Sequence, residues 1–258
     1  MRSIFLISKT VLLEAIRRRE IYAIVLVSLL LVGAVMTVDF FKVEGLTKFY
    51  REVALKVMSV ATSAAVIILA ARQLPREFEN RTIYPLLAKP IGRQSFIAGK
   101  LLGVVLAAFF CQAMFLMVFV LGSYYIKSDM AWPLLLQHLY LQTLQMLLLA
   151  TFAFWLSLLL NLDAAITLSL ILYATSSIIT GASTFLYPYA SEMGQYALLV
   201  FNYIVPHLTL FDLSEKVIHA ESWKPLSLSI MGQLSLYGAM FITAFWALAW
   251  NQFRRKAL

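Results

Sequence analysis

Long apolar runs alternate with short polar segments along the chain, and six of the runs are long enough to cross a bilayer as helices. A helix needs roughly 17 to 25 predominantly apolar residues to span the hydrocarbon core. The predicted spans are residues 21–38, 53–71, 101–126, 134–160, 164–186 and 227–250. This pattern predicts an all-α polytopic membrane protein that forms a single transmembrane domain over residues 1–258.

Helical periodicity is also present before the first span, over residues 1–20. Its apolar positions recur at offsets of three and four residues, at Ile4, Ile7, Val11 and Ala15. This spacing predicts an amphipathic helix that lies in the membrane interface. Three consecutive arginines follow, Arg17, Arg18 and Arg19, and we expect them to contact anionic headgroups at the membrane surface. A plain basic stop before the span is the alternative.

Composition and charge support the membrane assignment. Hydrophobic residues make up 62% of the 258 positions and charged residues 13%, whereas soluble domains have roughly 25% charged residues. The net charge of +8 comes from short clusters between apolar runs, which favours membrane orientation over nucleic-acid binding. Fourteen of the 21 basic residues fall on one side of the six spans and seven on the other. The positive-inside rule then predicts a multi-pass protein of the plasma or inner membrane with both termini cytoplasmic.

One long segment on the predicted outer side, residues 187–226, is itself largely apolar. Its stretch 194–213 contains Pro206 and several aromatic residues. A full crossing there would give seven spans and an outer C-terminus, against the distribution of basic residues. We therefore expect a re-entrant pair of helices that dips into the outer leaflet without crossing it.

The predicted cytoplasmic segment 72–100 is rich in charged residues and contains Pro75, Pro85 and Pro90, which are expected to break it into short helices. Its residues 72–103 read RQLPREFENRTIYPLLAKPIGRQSFIAGKLLG. The stretch resembles the first cytoplasmic loop of ATP-binding-cassette (ABC) permeases of the type-two exporter class. The positions that carry this resemblance are Glu79, Arg81, Thr82, Leu86, Leu87, Lys89, Pro90, Ile91, Arg93, Gly99 and Lys100. Arg81 stands where that family often has glycine.

The resemblance extends along most of the chain. The N-terminal helix resembles the family's elbow helix, and the sequence VPHLTLFDL at residues 205–213 resembles part of its outer re-entrant element. The resemblance implies a permease subunit that exports or flips an unidentified substrate by alternating access. The implied partners are two copies of a separate ABC ATPase, which bind ATP and Mg²⁺, and a second permease copy, identical or homologous.

The resemblance further implies that a coupling helix in segment 72–100 sits in a cleft of the ATPase. The residues expected to contact the ATPase are Glu77, Glu79, Arg81, Thr82, Lys89 and Arg93. The alternative is that these charges solvate a loop and pair with one another. The chain has no phosphate-binding loop of its own, because six residues separate Gly92 from Gly99 instead of four and Leu101 follows Lys100.

Polar side chains inside the predicted spans form two stripes at helical spacing. They are His138, Gln142 and Gln145 in the fourth span, and Ser169, Tyr173, Ser176, Thr180 and Ser183 in the fifth. Six of these residues are candidates for a translocation route or a seam between permease copies: His138, Gln142, Gln145, Tyr173, Ser176 and Thr180. The alternative is hydrogen bonding between helices of one bundle.

Two other classes of function fit the sequence less well. An intramembrane enzyme needs a paired acid, base or nucleophile, but His138 is the only ionisable residue well inside a span. A secondary transporter driven by an ion gradient usually buries a carboxylate at mid-depth, and none is found there. Cys111 is the only cysteine, so a disulfide framework and a thiolate metal site are excluded. The sequence predicts a non-catalytic subunit without a cofactor or metal of its own.

Overall fold

The computed structural model of the chain describes residues 2–17, 22, 25–26, 29–30, 33–34, 46–79, 92–127 and 130–255. Over these residues the chain is helical and contains no strand. Eight α-helices have defined bounds: α1 (Arg2–Ile16), α2 (Leu46–Glu79), α3 (Arg93–Tyr125), α4 (Trp132–Leu159), α5 (Leu162–Leu186), α6 (Glu192–Ile204), α7 (Ser214–Ile218) and α8 (Leu228–Arg255). Two 3₁₀ turns, Tyr187–Tyr189 and Leu208–Phe211, precede and follow α6.

Four helical segments within the described residues are long and apolar enough to cross a membrane. They are Thr47–Pro75, Arg93–Tyr125, Trp132–Leu159 and Leu228–Arg255. These segments correspond to the predicted second, third, fourth and sixth spans, and a shorter apolar stretch, Leu162–Ser176, lies in the predicted fifth. The all-helical membrane architecture is thereby confirmed. Only seven separate positions of the predicted first span are described, so the count of six stays a prediction.

Helices α2 and α4 form the centre of the bundle. Their most apolar stretches are 67% and 72% buried, against 11% for α8. The shared core contains Leu55 and Ile67 from α2 and Leu141 and Leu149 from α4, all fully enclosed. Since lipid tails are as apolar as these side chains, tight packing rather than the hydrophobic effect holds such helices together.

Helix α2 runs through Pro75 to Glu79 without interruption. The expectation that Pro75 breaks the 72–100 segment is therefore wrong at this position. A proline inside a helix removes one backbone hydrogen bond and kinks the chain, but neighbouring helices can hold such a helix together. Here Gln73 and Leu74, which are 4% and 0% exposed, pack into the bundle beside the proline. The segment without a described helix shortens to residues 80–92.

One apolar cluster gathers the parts of the chain that flank residues 80–92. Its buried members are Ile7, Leu74, Phe96, Ile97, Phe154, Leu158, Ala249 and Phe253. The cluster joins α1, the end of α2, the start of α3 and the ends of α4 and α8, and we call this side of the bundle the loop end. The charge distribution places the same segments together on one side of the membrane. Their cytoplasmic location stays a prediction.

Helix α1 confirms the predicted N-terminal helix, but its apolar face contacts protein. Ile7, Val11 and Ala15 are all at most 8% exposed. They pack on α3, where Gly99 and Gly103 lack the side chains that would keep the two helices apart. The large hydrophobic side chains of α1 that remain exposed are Phe5, Leu6 and Leu13. The apolar face of α1 that the periodicity predicts therefore packs on α3 rather than on lipid.

The predicted re-entrant segment divides into an exposed part and a packed part. Helix α6 has 13 residues and is about 20 Å long, which is shorter than the roughly 30 Å hydrocarbon core. Its Met193 and Tyr196 are largely exposed, whereas Leu208, Phe211 and Val217 are buried against the bundle. The described helices of this segment, α6 and α7, are therefore each too short to span that core alone, and the re-entrant placement stays a prediction.

The contact between α1 and α3 predicts the effect of adding a side chain at one of its glycines. A Cβ at Gly103 would lie 2.5 Å from the Cβ of Val11 and 2.9 Å from the carbonyl oxygen of Ser8. We expect Gly103→Ala to lower the free energy of unfolding by about 1 to 3 kcal/mol through overpacking. Thermal unfolding of the purified chain in detergent measures this change.

The matched control is Gly232→Ala in α8, where no heavy atom lies within 4 Å of the added Cβ. This variant should keep or slightly raise the melting temperature, because alanine favours a helix over glycine. Equal melting temperatures for the two variants would contradict the close packing of α1 on α3.

Candidate functional site

A buried ion pair connects the two helices that flank residues 80–92. The Lys100 ammonium donates a hydrogen bond to Glu77 Oε1 at 2.5 Å. The side chains of Lys100 and Glu77 are 7% and 17% exposed, and the ammonium lies 5.8 Å from the centre of the Phe96 ring. A pair this enclosed depends on both partners, because the loss of either leaves an uncompensated buried charge. The pair therefore fixes the end of α2 against the start of α3.

The Glu77 carboxylate accepts a hydrogen bond from Lys100, and the predicted contact of Glu77 with the ATPase stays a prediction. In the sequence, Lys100 stands out only as part of the motif that carries the family resemblance. The 23 residues between them exceed the helical offsets of three and four that reveal paired charges in a sequence. The only signal in the sequence is that opposite charges stand on either side of residues 80–92.

The other residues predicted to contact the ATPase are described only in part. Arg93 begins α3, and its guanidinium donates to the carbonyl oxygen of Arg254 at 3.5 Å. Glu79 ends α2, and its side chain is not among the described ones. Arg81, Thr82 and Lys89 lie outside the described residues. Of the three surface arginines, Arg17 is exposed at the end of α1, while Arg18 and Arg19 fall outside the described part of the chain.

A chain of buried polar side chains crosses the centre of the bundle. The Gln112 amide donates to Gln142 Oε1 at 3.4 Å, and the Gln142 amide donates to Thr62 Oγ1 at 3.1 Å. The Thr62 hydroxyl in turn donates to the Met58 carbonyl at 2.6 Å. These residues belong to α2, α3 and α4 and are at most 5% exposed. Gln142 therefore satisfies its amide within one copy of the chain, as groups surrounded by lipid must.

The second polar stripe, on α5, also pairs within the chain where it is described. The Tyr173 hydroxyl lies 3.2 Å from Ser59 Oγ on α2, and Ser169 donates to the Ala165 carbonyl of its own helix. Gln145 is buried on α4 at 3% exposure. The side chains of Thr180 and Ser183 are outside the described set. No group of three His, Cys, Asp or Glu side chains in the described ranges is arranged to hold a metal ion.

Residues 205–214, at the end of the bundle opposite the loop end, bind to four different helices. Their four interhelical hydrogen bonds are His207 N to Tyr237 Oη at 3.0 Å, Leu208 N to Ser176 Oγ at 2.9 Å, Leu213 N to His138 Nδ1 at 3.3 Å, and Lys56 Nζ to Asp212 Oδ2 at 2.8 Å. We call this arrangement the opposite-end junction. It gives His138 and Ser176 partners that no helical spacing could reveal.

His138 acts in this junction as a hydrogen-bond acceptor. Because the Leu213 N–H donates to Nδ1, the imidazole is neutral and carries its proton on Nε2. The ring is 1% exposed, and Nε2 has no hydrogen-bond partner among the described residues. Asp212 Oδ1 lies 3.9 Å from Nδ1, beyond hydrogen-bond distance. The geometry fits a residue that secures the junction rather than an acid–base pair.

Asp212 carries the negative charge of the junction. Burial would raise the pKa of its carboxyl, but the hydrogen bonds from the Lys56 ammonium and from the Ser214 backbone N–H outweigh burial and hold this pKa below its ordinary value. Asp212 is therefore ionised at neutral pH. Its pairing with Lys56 links the start of α2 to the segment before α7.

This pKa direction predicts how the stability of the chain depends on pH. A carboxyl with a lowered folded-state pKa stabilises the fold above its unfolded pKa, and this contribution disappears as pH falls through the folded pKa. We expect Asp212→Asn to cost about 1 kcal/mol at neutral pH. The difference from the unsubstituted chain should shrink on acidification. Thermal unfolding measured as a function of pH tests both points.

Glu221→Gln is the control, because Glu221 also pairs with a lysine of α2, Lys48 at 3.3 Å, but its side chain is 74% exposed. Its effect should be close to zero. An Asp212→Asn effect that is equally small, or that persists unchanged in acid, would contradict a stabilising role for the Lys56–Asp212 pair.

A protein-family model matches the chain. The model described as "ABC-2 family transporter protein" matches residues 15–181, more than half of the chain. The matched region contains α2, α3 and α4, most of α5, and both sides of the Glu77–Lys100 pair. No curated protein matches the chain.

Proposed function

The chain belongs to the ABC-2 family of transporter proteins, and from this premise we propose that it exports or flips a substrate by alternating access. It is an ABC-2 type permease, and its family implies association with an ABC ATPase. In the proposed cycle, ATP with Mg²⁺ closes two copies of that separate subunit, and the movement reaches the membrane through residues 72–100. The observation that carries this proposal is the buried Glu77–Lys100 pair beside residues 80–92.

The pair supports coupling because it makes the two flanking helices move together. A force on residues 80–92 that shifted α2 alone would separate the Lys100 ammonium from the Glu77 carboxylate inside a nearly dry environment. That separation is costly, so a rigid displacement of α2 with α3 is favoured. Helix α1 follows this movement, since Ile7 and Val11 pack against Gly99 and Gly103 of α3.

Helix α2 extends the connection to the other end of the bundle. Lys56 and Glu77 lie in the same continuous helix, and 21 residues of rise at 1.5 Å give about 32 Å between them. This distance equals the thickness of the hydrocarbon core within about 2 Å. One rigid element thus has the Glu77–Lys100 pair near one end and the Lys56–Asp212 pair near the other, as transmission through contiguous structure requires.

We assign contact with the ATPase to the residues nearest the loop, namely Glu79, Arg81, Thr82, Lys89 and Arg93. Glu77 contributes by holding α2 on α3. The exposed apolar side chains Leu168, Ile171 and Ile178 of α5 are available to lipid or to a second permease copy. The proposed assembly contains two permease copies, identical or homologous, and two ATPase copies.

Reversal of one loop charge tests the docking. We expect Glu79→Arg to weaken binding of the ATPase by about tenfold, which corresponds to the loss of one charged contact. The measurement is the amount of ATPase that co-purifies with the tagged permease at rising salt, together with transport by the reconstituted complex. Glu221→Arg is the matched control, since it makes the same charge change at the opposite end on an exposed side chain.

The coupling proposal would be wrong if the purified complex contained no ATPase and Glu79→Arg left transport unchanged. An equal loss of ATPase in both variants would assign the effect to net charge rather than to the loop. The Glu79→Arg variant must keep the thermal stability of the unsubstituted chain, so that unfolding does not explain a loss of bound ATPase.

The candidate route through the bundle makes a separate prediction. Gln142 is 1% exposed, so it can line a route only if α2, α3 and α4 separate during the cycle. With Cys111→Ala as background, Gln142→Cys and Thr180→Cys should react with small polar thiol reagents in at least one nucleotide state. Leu149→Cys is the control, because Leu149 lies two helical turns beyond Gln142 and is fully buried. Protection of Gln142→Cys and Thr180→Cys in every state would contradict the route.

A further inference from the structure

A groove at the loop end lies between α1, α3 and α8. It has a volume of about 500 Å³ and is open along one side. Its lining residues are Ile4, Gln94, Ser95, Ala98, Trp246, Ala247 and Trp250. The groove is separate from the Glu77–Lys100 pair, from the polar side chains around Gln142 and from the opposite-end junction, and the proposed transport function does not use it.

The walls of the groove change in character along α8. Trp246, Trp250 and Arg254 follow one another at offsets of four, so they share one face of the helix. Both tryptophans are half-buried, while Arg254 is exposed in the last turn. Tryptophan concentrates at the boundary between lipid tails and headgroups, because its ring is apolar and its N–H is polar. This face of α8 is therefore apolar at the two tryptophans and positively charged at Arg254.

The charged rim is positive. Arg254 and Arg255 are both exposed in the last turn of α8. The Arg93 guanidinium, at the start of α3, donates to the Arg254 carbonyl and holds the end of α8 beside the groove. Gln94 and Ser95 add amide and hydroxyl groups on the α3 side. These groups suit a phosphate with polar substituents at the rim.

The floor and the lower walls, in contrast, are apolar. Ile4 and Ala98 come from α1 and α3, and Ala247 adds a small side chain between the two tryptophans. A soluble anion would gain nothing from such a surface, whereas an acyl chain gains contact along its length. A basic rim above an apolar trough is complementary to an amphiphile with an anionic head.

We propose that this groove binds one anionic phospholipid. Its phosphate lies at Arg254, on the face of the two tryptophans and with Arg255 in the same helical turn, its headgroup hydroxyls contact Gln94 and Ser95, and an acyl chain follows Trp250, Trp246 and Ile4. The site is distinct from the general attraction of Arg17, Arg18 and Arg19 to a charged membrane surface, because it is shaped by three helices. It requires only that the loop end lies at a membrane surface, and it holds whether or not the chain transports a substrate.

The test uses phospholipids with brominated acyl chains, which quench tryptophan fluorescence on contact. The chain, purified in a neutral detergent, is titrated with brominated phosphatidylglycerol and, in parallel, with brominated phosphatidylcholine. We expect half-maximal quenching at about tenfold lower phosphatidylglycerol, from the partly screened attraction of two arginines. Trp246→Phe with Trp250→Phe should remove the difference between the lipids. Trp132→Phe, an exposed tryptophan at the opposite end, should not.

A charge-matched pair of variants tests the rim. Arg254→Gln with Arg255→Gln should raise the concentration of phosphatidylglycerol needed for half-maximal quenching to that of phosphatidylcholine. Lys127→Gln with Lys224→Gln removes the same net charge from exposed positions at the opposite end and should leave the preference intact. Exposed substitutions of this kind are expected to fold, and thermal unfolding of each variant verifies it.

Several results would overturn the proposal. Equal affinity for the two lipids, or an equal loss of preference in both charge-removal variants, would show that the groove does not select an anionic head. Displacement of phosphatidylglycerol by glycerol 3-phosphate at similar concentration would assign the rim to a soluble phosphate. Absence of quenching at Trp246 and Trp250 would mean that protein rather than lipid covers the groove.

Discussion

A lysine ammonium that is almost completely removed from water needs a counter-charge, and this requirement determines how α2 and α3 meet. Lys100 meets it with Glu77. The pair fixes the position of α3 along α2, and with it the glycines at 99 and 103 that receive α1. The apolar cluster around Phe96 and Phe253 then brings α8 to the same end. The loop end of the bundle follows from this single electrostatic constraint together with close packing.

The opposite end is held by a different set of interactions. There a non-helical segment, residues 205–214, presents backbone N–H groups that would be costly to leave unpaired near lipid. Side chains of α4, α5 and α8 accept them, and Lys56 of α2 pairs with Asp212. Irregular backbone is tolerated because the surrounding helices supply every one of these partners. Helix α2 connects the two ends as one continuous helix through Pro75, and the coupling that we propose depends on this continuity.

Polar groups in the middle of the bundle play a stabilising role. Thr62, Gln112 and Gln142 link three helices that have no hydrophobic reason to associate within lipid. Hydrogen bonds of this type are worth about 0.6 kcal/mol each in membrane proteins, so they specify which helices meet without locking them. A bundle held by weak central contacts and strong end contacts is suited to rigid-body movement of whole helices.

The sequence by itself determined the helical class, the approximate position of the membrane-length helices, the N-terminal helix and the family, because hydrophobic period, run length and local motifs are properties of neighbouring residues. It also located the charged segment that Glu77 and Lys100 flank. Only the tertiary structure decided the pairs: Lys100 with Glu77, Lys56 with Asp212, Gln112 with Gln142, and α1 with Gly99 and Gly103. The residues of the two ion pairs are 23 and 156 positions apart in the sequence. Their meeting depends on how helices pack side by side, which no spacing along a single helix encodes.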